Sequence, residues 1–455
     1  MSDAPLMLSV SGMRGLVGQS LTDAVAARYA WAVGSWLREQ ARGRGPARVV
    51  VGRDSRPSGP AVEAAAITGL RSAGCDVTVL GLATTPATAV MVTELGGRGG
   101  LVITASHNPL PWNGIKTLRH DGVAPPPEQA RQIIERFHRA PPALPTAAEG
   151  TPDTDDRAGA VHVGRILDHL DVEAIRRRRL RVVLDSVCGA GGPSTRQLLE
   201  ELGVELVHLN AEPTGEFPHE PEPTAANLGG LVQAVEQHGA DVGFAQDPDA
   251  DRLAIVDNRG RYIGEEYTLI LCAANILART AGPVAANLSS SRMLDDLAAR
   301  FGVQAHRTPV GEAHVARAMG KHACVIGGEG NGGVIWPKIV RVRDSLASIG
   351  LVLDLLARDG RPLAEVVDRI PAYSIRKEKI PIEAGMAEAA VKKLSAAFAD
   401  QKIDTQDGIR IDWPDQWVHV RPSNTEPILR LIAEAPDAQR AGGLLEQVRQ
   451  AVAGA

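Results

Sequence analysis

Short apolar runs alternate with longer amphipathic stretches through most of the chain. Residues 47–51 read as a buried strand, the polar loop GRDSRPSG follows, and a helical pattern covers 60–73. Strands are predicted at 76–80 and 100–104. A second unit opens with a strand at 180–185, a helix at about 194–202, and strands at 205–209 and 241–245. A third, beginning after Asn258, has strands near 283–286, 303–306 and 323–326. Apolar runs separated by helical patterns predict βαβ units and a largely parallel sheet. The element order is similar in the three units although their letters are not, so the pattern predicts three related α/β domains. Residues 139–160, rich in Pro, Ala and acid, are expected to be irregular in part.

The C-terminal region differs. A helix near 386–399 precedes strands at 408–412, 417–420 and 428–433, and a helix at 438–452 follows. Consecutive short strands flanked by helices predict a small α+β domain with an antiparallel sheet. The expected boundaries are 1–155, 156–258, 259–370 and 371–455.

Composition narrows the class. With 455 residues, 44% hydrophobic and 23% charged, the chain is an ordinary globular one, which excludes disorder, collagen and coiled coil. Aromatics are only 3%, so the cores must be aliphatic and a site that stacks bases on rings is disfavoured. Forty-nine basic against 54 acidic side chains give a net charge of −5, with no global field toward nucleic acid or membrane. Cys75, Cys188, Cys272 and Cys324 lie far apart and read as buried small hydrophobes in a reducing compartment. No basic-then-apolar leader opens the sequence and no apolar run reaches about 18 residues, so the expectation is a cytoplasmic protein in which the sequon Asn287-Leu288-Ser289 is fortuitous.

Four loops carry candidate chemistry, each after a predicted strand, where open α/β sheets bind ligands. Thr104-Ala105-Ser106-His107-Asn108-Pro109 presents a hydroxyl that is either a nucleophile or a turn cap. Ser106 and His107 are adjacent, so their side chains are expected to diverge. Asp247-Pro248-Asp249-Ala250-Asp251-Arg252 places three alternating carboxylates between apolar flanks. Two charges about 4 Å apart cost about 4 kcal/mol at an effective dielectric of about 20. The segment is either a solvated acidic turn or a cation site. It fails the EF-hand pattern, with Arg252 for Gly and Asn258 for Glu, and suits Mg²⁺ better than Ca²⁺. The third loop, residues 327–333 (GGEGNGG), offers only Glu329 and Asn331 as bulky polar groups. The fourth, residues 421–427 (RPSNTEP), is either a polar turn or a cradle for a phosphate dianion.

Together with SGMRG, GRDSRPSG, NGIK and TPVGEAHV, these loops occur in the order found in the α-D-phosphohexomutases, and over its whole length the sequence resembles that family. The resemblance implies three related α/β domains with mixed sheets plus a smaller C-terminal α+β domain around a central cleft. It implies a phosphorylated Ser106, with Asp247, Asp249, Asp251 and Ser106 holding Mg²⁺. Lys116, Arg14, His107 and Arg252 fall in the catalytic set. Lys116 is expected to have a lowered pKa as a proton-transfer group. Glu329, Asn331, Thr308 and Gly311 align with sugar-contacting positions. Arg421, Ser423, Asn424, Thr425 and Arg430 align with the grip on the non-reacting phosphate. The implied activator is a hexose 1,6-bisphosphate and the partner a phosphosugar, in a monomer or homodimer. Many members read GExSGH in the sugar loop, whereas here Asn331 takes the Ser position and Gly333 the His position. That pattern resembles the phosphoglucosamine mutase branch, with phosphomannomutase/phosphoglucomutase as the alternative. A silent sugar-phosphate sensor and a metal-dependent phosphatase are the competing readings.

Overall fold

The computed structural model describes residues 5–41, 47–141, 143–144, 146, 151–382, 386–422 and 428–453. In the first unit Ala47–Arg53, Cys75–Leu82 and Gly99–Ile103 run parallel, and Trp112–Arg119 returns antiparallel beside Gly99–Ile103. In the second, Arg181–Asp185, Glu205–Leu209 and Val242–Gln246 are parallel and Leu253–Asp257 returns. In the third, Val284–Asn287, Ala305–Thr308 and Ile326–Glu329 are parallel and Gly333–Ile335 returns. The spatial order is the same each time: returning strand, third, first, second. The largely parallel sheet is thereby corrected to a mixed one, because each unit closes with a hairpin rather than a crossover. In the first sheet Gly12–Leu16 and Met7–Ser9 continue beyond the returning strand, and Asp153–Thr154 pairs with Cys75–Leu82.

The strands are apolar on both faces because helices cover both. Val49, Val50 and Val51 are all buried. The expected strand at 323–326 starts later: Ala323, at φ 51, ends the helix Glu312–His322, and the strand begins at Ile326. Within residues 139–160, a strand at Asp153–Thr154 and the start of the helix Ala158–Leu167 are ordered elements, and 142, 145 and 147–150 lie outside the described residues.

One aliphatic core runs through the first three units, joining Val90, Leu184, Leu271 and Leu353, with Phe244 and Trp336 its only buried aromatics among the described residues. Its axis is the helix Ser345–Asp359, buried from Ser345 through Asp354. The fourth unit is an antiparallel sheet of Ser374–Pro381, Ile428–Ala435, Trp417–Pro422, Ile409–Asp412 and Lys402–Asp404, with its own core of Leu394, Ile411, Val418, Leu431 and Leu445. It docks on the third unit through polar contacts. Glu434 Oε1 accepts from Arg292 N (2.9 Å) and Trp417 Nε1 (2.7 Å), and Ser289 Oγ meets His419 Nδ1 at 2.8 Å. The four cysteines are free thiols, three of them buried. Among the described residues no helix is long and apolar enough to cross a membrane.

Candidate active site

The repeated hairpin explains why the chemistry-bearing loops meet. Residues 104–111, 247–252 and 330–332 each join the third parallel strand to its returning partner, so they occupy one topological point in three successive units.

GRDSRPSG builds the first loop. Arg56, fully buried, pairs with Asp54 at 3.1 Å. It donates to the carbonyls of Ser106 (2.6 Å), Asn108 (2.6 Å), Pro109 (3.1 Å) and Trp112 (3.1 Å). Thr104 Oγ1 donates to Asp54 Oδ2 (2.6 Å) and accepts from Ser106 N (2.8 Å). Ser106 is thereby held at φ 51, a left-handed conformation that a side chain rarely adopts. Its hydroxyl donates to Asp247 Oδ2 at 2.8 Å and lies 3.3 Å from His107 Nδ1. The expected divergence of Ser106 and His107 is thus corrected, and the positive φ brings the neighbours together. Burial, with Arg252 and Arg14 nearby, pushes the His107 ring down to about 2, so it is neutral.

In the second loop the carboxylates converge. Asp247, Asp249 and Asp251 are fully buried, and one oxygen from each lies within 4.8 Å of the others. Asp249 Oδ1 and Asp251 Oδ1 are buried without a hydrogen-bond partner. Buried acceptors are normally satisfied, so two orphans in one hard, all-oxygen donor set fit a divalent cation such as Mg²⁺. Burial, then Asp251 and Asp249, pushes the Asp247 carboxyl well above its ordinary value. Burial acts likewise on Asp251, yet Arg343, Lys116 and Arg252 hold it well below.

Lys116 projects from the returning strand of the first unit. Its Nζ donates to Asp249 Oδ2 (2.6 Å) and Asp251 Oδ2 (2.7 Å), and the Thr85 hydroxyl also donates to Asp249 Oδ2. The expectation of a lowered Lys116 pKa is overturned. Burial lowers it, but the two aspartates outweigh burial and the ammonium titrates above its ordinary range. Arg14, opposite Gly114 in the sheet, donates to Asn108 Oδ1 at 2.8 Å, and burial lowers its pKa. Arg252 Nε lies 3.8 Å from Asp251 Oδ1.

In the third unit Glu329 is buried and already engaged. Its Oε1 accepts from Asn287 Nδ2 (2.8 Å) and Gly311 N (2.9 Å), and its Oε2 from Arg343 Nη1 (3.0 Å). Gly311, at φ 124, is glycine because that backbone angle is what aims its N–H at Glu329. Thr308 is buried and its hydroxyl donates to Pro309 O at 2.9 Å. Asn331 Oδ1 accepts from Gly333 N at 3.2 Å.

Ser423, Asn424 and Thr425 lie outside the described residues. Arg421 and Arg430 are direct cross-strand partners in the fourth sheet and share a face. Arg421 Nε lies 3.0 Å from Asp407 Oδ2, which also accepts from Val310 N at 3.0 Å. This pair links the fourth unit to the loop that carries Gly311.

Arg14, Ser106, His107, Lys116, the three aspartates and Arg252 therefore form one cluster, which Arg343 connects to Glu329. Sequence reasoning missed Asp54, Arg56, Thr85, Arg343 and Asp407. Asp54 and Arg56 had a signal, charges inside a quoted motif. Arg343 had a weaker one, a cation two residues before the largely apolar helix that begins at Ser345.

Known proteins are similar to this chain along its length. Family models for phosphoglucomutase/phosphomannomutase match in series: α/β/α domain I over residues 7–143, domain II over 160–260, domain III over 265–373 and the C-terminal domain over 377–451. A phosphoglucomutase/phosphomannomutase of Thermococcus kodakarensis is 39% identical, covering 96% of both chains. A probable phosphoglucosamine mutase of Methanopyrus kandleri is also 39% identical, over 96% of this chain and 95% of its own. The crystal structure of a phosphoglucomutase/phosphomannomutase family protein from Burkholderia thailandensis superposes with a TM-score of 0.85 at 28% identity, covering 98% of each chain.

Proposed function

The chain belongs to the phosphoglucomutase/phosphomannomutase family of intramolecular phosphotransferases, and we propose that it interconverts hexose 6-phosphate and hexose 1-phosphate through a phosphoserine at Ser106. The observation that carries this reading is the Ser106 hydroxyl held 2.8 Å from Asp247 Oδ2, inside the only buried carboxylate trio found among the described residues.

In the first transfer the sugar O1 attacks the phosphorus on Ser106. An O1–P bond forms, the Oγ–P bond breaks, and the O1 proton ends on Oγ. The product is a bound hexose 1,6-bisphosphate, which turns over within the cleft. In the second transfer Oγ attacks the phosphorus on O6, the O6–P bond breaks, and the Oγ proton ends on O6. Hexose 1-phosphate leaves and phosphoserine is restored. A free bisphosphate reloads any enzyme that has lost its phosphoryl group, which makes it the activator.

Each transfer needs in-line positioning and neutralised charge. Asp247, Asp249 and Asp251 would hold Mg²⁺, with Ser106 beside them, and the cation supplies Lewis-acid neutralisation of the phosphoryl oxygens. Arg14 and Arg252 add fixed positive charge, and neutral His107 orients Oγ through Nδ1. Lys116 relays the proton at Nζ. Arg421 and Arg430, with Ser423, Asn424 and Thr425, grip the phosphate that is not reacting. The separate core of the fourth unit supports its moving as a gate that shuts water out.

Glucosamine 6-phosphate is the proposed substrate. Glu329 is fixed through Oε1, and its Oε2, with Arg343 as donor, keeps a lone pair suited to an amino or hydroxyl donor. The Methanopyrus kandleri relative carries the probable phosphoglucosamine mutase name. The equally similar Thermococcus kodakarensis relative favours glucose and mannose phosphates as the alternative. The proposed setting is the cytoplasm. A panel of glucosamine, N-acetylglucosamine, glucose and mannose 6-phosphates, with glucose 1,6-bisphosphate and Mg²⁺, tests the assignment by kcat/KM. The highest value is expected for glucosamine 6-phosphate, and Ser106→Ala is expected to abolish turnover of all four. Release of inorganic phosphate in excess of isomerised sugar would instead identify a phosphatase.

A further inference from the structure

We propose that Arg343 is a built-in counter-cation of the carboxylate trio: it weakens divalent-metal binding there while fixing the sugar-facing carboxylate Glu329, and it can enter the site because residue 333 is glycine. This rests on the reading of the trio as a metal site.

Arg343 is buried and forks among three carboxylates on three different segments. Nη2 lies 2.6 Å from Asp251 Oδ2, Nη1 3.0 Å from Glu329 Oε2 and Nε 2.8 Å from Glu312 Oε2. Its backbone is anchored. The next residue, Asp344, accepts from His162 Nε2 across 2.7 Å and caps the helix Ser345–Asp359 through Ala347 N (3.0 Å). Ser345 holds Ala250 O in the metal loop through its N–H (3.1 Å) and its hydroxyl (2.7 Å). The arginine therefore stands in fixed relation to the loop that it neutralises.

Asp251 Oδ2 is shared between Arg343 and Lys116, whereas Oδ1 has no hydrogen-bond partner. The fork leaves one oxygen of that carboxylate for a cation and places a permanent positive charge behind the other. Lys116 can leave its carboxylates on a flexible stem. Arg343, tied to Glu312 and Glu329 as well, cannot leave without freeing Oε2 of Glu329, whose Oε1 stays held by Asn287 and Gly311. A Cβ on residue 333 would overlap Arg343 Cδ and crowd its Cγ, so any larger side chain there displaces the arginine stem. Gly333 lies in a strand at an ordinary backbone angle, so alanine strains no dihedral and acts chiefly through that overlap, with Asn331 Oδ1 crowded less, at 3.1 Å.

Arg343 is thus a positioning residue with two separable effects. The test uses full-length protein stripped with chelator. Mn²⁺ affinity is read from the electron paramagnetic resonance signal of the free ion, and KM and kcat are measured separately with glucosamine 6-phosphate. Arg343→Met is expected to tighten Mn²⁺ by about tenfold, since one nearby positive charge is gone, and to raise KM as Glu329 loosens. Gly333→Ala, which removes no charge, is expected to shift both in the same directions. Arg343→Lys keeps the charge but loses the fork, so Mn²⁺ affinity returns toward the wild-type value while KM stays raised. A merely structural role would weaken both kinds of binding. Unchanged or weaker Mn²⁺ binding in folded Arg343→Met, or wild-type values in Gly333→Ala, would overturn the proposal. The expected Mn²⁺ shifts in a protein that turns over no sugar phosphate would uphold the counter-cation and sink the functional reading alone.

Discussion

Ser106 and Glu266 show how single side chains are set by surroundings the local sequence does not announce. The left-handed φ of Ser106 is disfavoured by about 1–2 kcal/mol for a residue with a Cβ, and the four carbonyls held by Arg56 offset it. Glu266 packs against Gly330 in the third unit's hairpin loop, and its carboxylate accepts from Ser291 N at 2.9 Å. Burial pushes its carboxyl up to about 8. The fold therefore favours the neutral form. The contribution to stability is complete below the ordinary glutamate range and is lost as pH rises toward and through about 8. Glu266→Gln removes that dependence. Thermal unfolding of both proteins from pH 5 to 9 is expected to show the wild type losing ground to the variant by up to about 1.4 kcal/mol per pH unit, mostly below pH 8. Parallel curves would show that Glu266 titrates normally. Glu266 was illegible in the sequence because it stands beside Glu265, and Arg343 because it stands between Arg341 and Asp344, with nothing local to single either out. Glu266 and Arg343 acquire meaning only from partners far along the chain.

Among the elements, the first strands of each unit were legible as apolar runs, and their ends shifted by only a few residues. Of the returning strands only Leu253–Asp257 was, through the apolar run LAIV after the aspartate loop. Trp112–Arg119 reads WNGIKTLR, with a lysine placed for the site and a buried asparagine bonded to Ser58 and to Gly114 N, so no alternation marks it as a strand. Yet the hairpins that these strands close carry three of the four chemical loops. The third parallel strand was visible in the first two units and each loop motif stood directly after it, so the loops could be located without their hairpins. The loop over Ser106 depends on Arg56 more than on its own residues. Arg56→Met keeps the apolar stem and strips the donors, leaving Asp54 charged and buried without its partner. We expect a loss of about 3–5 kcal/mol in urea unfolding, with turnover falling further than stability explains. A change below about 1 kcal/mol would mean that the loop holds its shape without that arginine.

Across the whole molecule, one aliphatic core joins the first three units, the first two keep further clusters of their own, and the fourth has a separate core and docks through polar contacts. Low aromatic content foretold the aliphatic packing. It could not foretell that the cores of three units merge around the helix Ser345–Asp359, since that depends on which faces meet. The merged core fixes Ser106, the aspartate trio and Glu329 relative to one another, and the docked unit brings Arg421. With Ser106 fully buried in this arrangement, a phosphoryl group there would be shielded from water. The most direct measurement loads the protein with glucose 1,6-bisphosphate, records its intact mass, maps the modified peptide, and then chases with excess hexose 6-phosphate. The account predicts one added PO₃ unit, on Ser106, that disappears in the chase as the bisphosphate forms. Complete isomerisation by a protein that never carries the adduct, or carries it on another residue, would contradict it.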